Sequence, residues 1–188
     1  ETTHIIEVDP HYTWKRGFVC CFTGNPNCGK SEFLLQLALI KAVYSGWRFA
    51  IYCPENMSAE NKTMSPDEIA DTLIHSLVGL TPDPHYKTSQ MKLESYRKAI
   101  KKVSEHFVIV YPQQRIKTVS SLLDHFQFAC DSGKIDCCII DPWNKLHHNY
   151  TGLLDEYLME KFAEIKEFTV KNELVFCIVE HPKSQQKN

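Results

Sequence analysis

The residues Gly24, Asn25, Pro26, Asn27, Cys28, Gly29, Lys30 and Ser31 carry the clearest chemistry in the chain. They read G-x-x-x-x-G-K-S, the spacing of a loop that wraps nucleoside phosphates. An apolar run, Phe18-Val19-Cys20-Cys21-Phe22, leads into it, and a helical run from Glu32 to Tyr44 follows. In that setting the glycines turn backbone N–H groups toward an anion, and the helix N-terminus adds partial positive charge. Lys30 is placed to reach the β- and γ-phosphates of ATP, and the Ser31 hydroxyl to ligate Mg²⁺.

The other polar residues of interest sit where apolar runs end. Runs at 18–23, 48–53, 107–111, 137–141 and 174–179 read as strands. They alternate with helical stretches at 32–44, 65–77, 88–105, 118–132 and 155–170. Nearly continuous apolar strands alternating with helices predict an α/β fold with a mostly parallel central sheet covered on both faces. Ligands of such sheets sit at the carboxyl ends of the strands. There the second strand delivers Glu55, the third Gln113, Gln114 and Arg115, the fourth Asp141, and the fifth Glu180 and His181.

Asp141, after Cys137-Cys138-Ile139-Ile140, reads as a second oxygen ligand that holds Mg²⁺ through water beside Ser31. Pro142 follows it, where many phosphate-loop ATPases place a catalytic Glu. The base must therefore come from elsewhere, and Glu55 is the candidate that polarises the attacking water. His181 is placed to sense the γ-phosphate. Glu180 reads as structural or orienting, Arg115 as a phosphate contact or a solvated loop residue, and His147 and His148 as loop residues whose side chains diverge.

The 188 residues suit one domain, with 43% hydrophobic and 23% charged residues. A net charge of −2 argues against a strong stand-alone nucleic-acid binder while leaving local basic contacts open. The eight cysteines form no C-x-x-C pair, and most lie in apolar runs, so reduced, buried thiols in a soluble, cytoplasmic protein are expected. No run is long enough to span a membrane. Both ends read as cut, as in an excised domain. Residues 57–105 are more helical than a β-α-β unit needs and read as an insertion.

Taken together, Gly24–Ser31, Pro54-Glu55-Asn56, Tyr111–Val119, Ile139-Ile140-Asp141-Pro142-Trp143-Asn144 and Val179-Glu180-His181-Pro182-Lys183 resemble the RecA-like ATPase core of replicative DNA helicases. The likeness is to the DnaB type and to the helicase half of toprim-linked primase-helicases of phage and mitochondria. It implies a three-layer phosphate-loop NTPase fold that uses ATP and Mg²⁺. Lys30, Glu55 and His181 would be catalytic, and Ser31 and Asp141 would bind metal. It also implies a homo-hexamer with an arginine finger from the neighbouring subunit. Single-stranded DNA would be gripped by loops near 144–151 and 183–188. Read as an excised fragment, the chain is expected to lack the finger and last strands of such a core, which would follow residue 188, and any N-terminal primase or toprim region. Two other readings stay open: a small-molecule kinase, although no Arg-rich lid is visible, and a recombinase-like ATP-gated DNA-binding or scaffold module.

Overall fold

The computed structural model describes residues 1–25, 27–54, 67–80, 90–112, 117–150 and 152–180. Among these described residues five strands form one sheet: β1 (Val19–Thr23), β2 (Phe49–Tyr52), β3 (Phe107–Ile109), β4 (Cys137–Ile140) and β5 (Val175–Glu180). Five α-helices among them accompany the sheet: α1 (Lys30–Ser45), α2 (Asp67–Val78), α3 (Leu93–His106), α4 (Val119–Ser132) and α5 (Leu154–Lys171). The strand order is β1-β5-β4-β2-β3, and every pairing is parallel. The expected parallel α/β architecture is what the chain adopts. Element ends differ from the sequence expectation by a few residues, most at α3, which begins at Leu93 rather than near 88.

Alternation along the strands sorts the core into two halves. Phe49 and Ile51 face one way with Cys137, Ile139, Cys177 and Val179, against α1, α2 and α3. Ala50 and Tyr52 face the other way with Cys138, Ile140, Phe176 and Ile178, against α4 and α5. Side chains on successive strand residues point to opposite faces, so strands apolar throughout must be covered twice. The residues between β2 and β3 that read as an insertion supply α2 and α3, which extend the α1 layer. No described helix is long and apolar enough to cross a membrane.

Helix ends follow local chemistry. Gly46 caps α1 in a left-handed conformation (φ 70°), and its N–H donates to the Ala42 carbonyl. Thr118 caps α4: its hydroxyl accepts from the Ser121 N–H at 3.2 Å, while Ser121 Oγ accepts from the Thr118 N–H at 3.1 Å. The helix start signal at Ser65-Pro66 and the turn at 81–84 lie outside the described residues.

The leading segment is folded onto the core. Trp14 is fully buried against Tyr12, Trp47 and Phe49. Lys41, buried on α1, donates to the Thr2 carbonyl at 3.0 Å, and its ammonium lies over the Trp47 ring. Asp136 ties this segment to the sheet. Its carboxylate accepts from Arg16 Nη2 at 2.7 Å and from the Arg48 N–H at 2.9 Å, with Lys134 at 3.2 Å. The Asp136 N–H in turn donates to the Arg48 carbonyl at 2.8 Å, at the point where β2 and β4 begin.

Burial alone would raise the Asp136 carboxyl, but the Arg48 N–H and the cationic Arg16 and Lys134 outweigh it and hold the group below its ordinary value. A carboxyl lowered in the folded state stabilises the fold above the unfolded pKa, near 3.9 as a rough reference, and that stability is lost as pH falls toward the folded value. Asp136→Asn should therefore cost about 1.5–3 kcal/mol at neutral pH. It should also flatten the loss of stability on acidification, as read by urea unfolding across pH 3 to 7 (~4 units, spanning the reference carboxyl pKa).

Candidate functional site

The phosphate loop is built by β1, which ends at Thr23, and by α1, which begins at Lys30. Gly29 precedes the helix at φ 82° and ψ 19°, a left-handed conformation that side-chain-bearing residues rarely adopt, and Asn27 shares it at φ 60°. A Cβ added at Gly24 would sit 3.2 Å from Cys28 Sγ and 3.7 Å from Lys30 Cδ, so the loop closes tightly on itself there. The first N–H groups of α1 have no intrahelical partners, and no side chain caps them. They form a donor set at the positive end of the helix dipole, suited to an anion.

Lys30 is only 9% exposed. Its ammonium donates to the carbonyls of Gly24 at 2.9 Å and Asn25 at 2.8 Å, with Cys28 Sγ at 3.8 Å. The charge is thus folded over the loop and held by neutral acceptors, which a phosphate oxygen would outcompete.

Asp141 is buried, 5% exposed, at the end of β4. Its Oδ1 accepts from Ser31 Oγ at 3.0 Å. Two residues 110 positions apart, selected from sequence as metal ligands, are in direct contact. One hydroxyl and one carboxylate suit Mg²⁺, which takes hard oxygen donors and keeps several waters. Among the described residues no group of three or more His, Cys, Asp or Glu side chains could hold a metal ion. The donor set therefore fits a metal shared with a bound phosphate rather than an all-protein cage.

The strand order explains the contact. β5 lies between β1 and β4, so the phosphate loop and Asp141 flank β5 at the same end of the sheet. β5 ends at Glu180, which is in register with Thr23. His181 follows directly and lies outside the described residues. β2 is separated from β1 by two strands and pairs with β4, where the Asp141 N–H donates to the Tyr52 carbonyl at 2.9 Å. The segment leading to Glu55 thus leaves the sheet beside Asp141. Glu55 itself, Pro26, Gln113, Gln114, Arg115 and the tail at 183–188 lie outside the described residues.

The loop after Asp141 is more ordered in its contacts than its sequence suggests. Trp143–Lys145 makes one turn of 3-10 helix, with Trp143 buried. His148, which reads as a plain loop residue, uses both ring nitrogens: Nδ1 contacts Tyr157 Oη at 3.0 Å, and Nε2 contacts the Trp143 carbonyl at 3.1 Å. The cysteines are all free thiols. Cys137, Cys138 and Cys177 are buried, whereas Cys21 and Cys28 are exposed, against the expectation of general burial. Burial raises the thiols of Cys137, Cys138 and Cys177 and disfavours their thiolates.

No protein-family model matches the chain. It is 27% identical over 187 residues to the Twinkle homolog protein, chloroplastic/mitochondrial, of Arabidopsis thaliana, a match that covers 95% of this chain and 25% of that protein. Among solved structures it superposes on a DnaB-like replicative helicase with a TM-score of 0.73 and 14% identity, covering all of this chain and 46% of that one. A second solved structure, of an ATPase domain, gives a TM-score of 0.68 at 14% identity, covering 96% and 63%. The RadB recombinase gives 0.56 at 15% identity, covering 98% and 73%. The chain thus spans a quarter of the Twinkle homolog and under half of the DnaB-like helicase chain. By fold the chain is a RecA-like phosphate-loop domain, similar to the DnaB-like helicase, to the second ATPase domain and to a Twinkle homolog.

Proposed function

We propose that the chain is the ATP-binding and ATP-hydrolysing motor domain of a replicative DNA helicase or primase-helicase. The contact between Ser31 Oγ and Asp141 Oδ1 carries this reading, because it joins the phosphate loop to a buried carboxylate of the kind that holds Mg²⁺. Lys30 exchanges its loop carbonyls for β- and γ-phosphate oxygens. Ser31 and Asp141 would hold Mg²⁺, which when bound would supply neutralisation of charge on the phosphates. Glu55, on the segment that leaves the sheet beside Asp141, polarises the attacking water. His181, one residue beyond the Glu180 end of β5, reads the γ-phosphate.

In the whole protein this site would lie between subunits of a hexamer, with an arginine finger supplied by the neighbour. Hydrolysis would drive movement on single-stranded DNA in a cytoplasmic or organellar compartment. The likeness to RadB favours a second reading, a recombinase-like ATP-gated DNA-binding module. ATP-dependent, directional strand displacement by the full-length protein supports the motor, whereas strand pairing without displacement supports the module.

Two substitutions test the roles. Lys30→Ala should weaken binding of ATP about 30-fold or more, since it removes a charge-assisted partner of the phosphates. Isothermal titration measures it, and unchanged affinity would remove Lys30 from the site. Glu55→Gln should leave ATP affinity near wild type while lowering the single-turnover hydrolysis rate roughly 10²- to 10⁴-fold. An equal loss of binding and rate would assign Glu55 to positioning instead of proton transfer.

A further inference from the structure

On the sheet face opposite α1, a cavity of about 570 Å³ opens between β1, β5, α5 and the loop that follows Asp141. Alternation along the strands decides what the sheet presents to it: Cys21 and Thr23 from β1, Ile178 and Glu180 from β5. Across from the strands, Trp143, Tyr150, Tyr157 and Phe162 bring aromatic rings. Glu180 lies in register with Thr23, so its carboxylate stands where both strands end.

The rings are organised before any ligand arrives. Trp143 lies on Phe162 at 5.5 Å and 22°, and Tyr150 on Tyr157 at 5.4 Å and 29°. His148 joins the two pairs, 4.9 Å from Trp143 and 5.7 Å from Tyr157, which it meets edge-on. Tyr150 keeps 45% of its surface exposed, a supported ring at the mouth.

Charge decides what such a cavity takes. Among the described residues that line it there is no Lys or Arg, and the one carboxylate is that of Glu180. His148 adds no positive charge in this bonding pattern. The Trp143 carbonyl can only accept, so Nε2 carries the proton, and Nδ1 is left to accept from the Tyr157 hydroxyl. The neutral ring satisfies both partners. Aromatic faces carry the negative side of the ring quadrupole and attract a cation. The rings and the carboxylate therefore favour the same sign of ligand, and an anion meets both with the opposite sign. Leu154, Leu158 and Ile178 add aliphatic wall. A volume within the roughly 300–1,000 Å³ of small-molecule sites leaves room for an apolar body beside the charged nitrogen.

From this we infer that the cavity binds a small organic cation: a charged nitrogen, held by Glu180 and the ring faces, on an apolar or aromatic body. Neither the phosphate loop nor Asp141 takes part in holding it.

The test titrates the full chain with phenethylammonium in the absence of nucleotide and follows the Trp143 indole N–H by NMR. Phenethyl alcohol, neutral, and phenylacetate, anionic, are the matched probes. Wild type should bind the cation about 10- to 150-fold more tightly than the alcohol, and phenylacetate more weakly still. Glu180→Gln should bring the affinity for the cation close to that for the alcohol. Tyr150→Leu, at an exposed ring, should weaken the cation about 2- to 30-fold and leave the alcohol nearly unchanged. Equal binding of cation and alcohol by wild type, tighter binding of phenylacetate, or no saturation by the cation at about 10 mM, well into weak binding, overturns the proposal. So does an unchanged preference in both variants. A blocked lysine amide that binds as tightly as phenethylammonium also overturns it, by assigning the cavity to a protein side chain. Because no nucleotide is present, each result is independent of whether Lys30 and Asp141 bind ATP.

Discussion

The hydrogen bond from Ser31 Oγ to Asp141 Oδ1 is the interaction on which the site depends. It spans the sheet from the start of α1 to the end of β4, with β5 between. Its length of 3.0 Å is possible only if β1, β5 and β4 keep their register. A slip of one residue in a strand would turn Asp141 toward the other face. The buried strands and the two halves of the core can therefore be understood as the frame that holds one hydroxyl and one carboxylate together.

That frame is anchored at its opposite end. Asp136, at the start of β4, joins the leading segment, β2 and β4 through Arg16 and the Arg48 backbone. Asp141, at the finish of the same strand, joins β4 to the phosphate loop. A short strand of four residues thus carries a structural carboxylate before it and the proposed metal-site carboxylate after it. Desolvation opposes the charge of Asp136, and its three donors restore it. At the other end of the frame the Lys30 ammonium is held by two carbonyls, the acceptors a phosphate oxygen would replace.

Much of this was legible in the sequence because its signals are local. The glycine spacing from Gly24 to Gly29, the apolar runs, and the Asp that ends Cys137–Ile140 each follow from a few adjacent residues. Parallel strand order does not, since its contacts are far apart in sequence. Placing β2 beside β4 needed the structure. The burial of Trp14 and Lys41 was hidden for a related reason: a segment without strand or helix periodicity gives no sign of which face it covers. His148 looks like a plain loop residue in the sequence because its partners, Tyr157 and the Trp143 carbonyl, meet only once α5 folds back. Glu55 and His181 stay as proposals grounded in their positions after β2 and β5.

A nucleotide site on this sheet requires Ser31 and Asp141 to act together on the metal that accompanies the phosphates. The most direct measurement is ATP affinity as a function of Mg²⁺ concentration, compared between wild type and Asp141→Asn. Wild type should bind ATP more tightly as Mg²⁺ rises, and Asp141→Asn should lose most of that dependence while keeping its Mg²⁺-free affinity. An identical Mg²⁺ dependence in the two proteins would contradict the assignment.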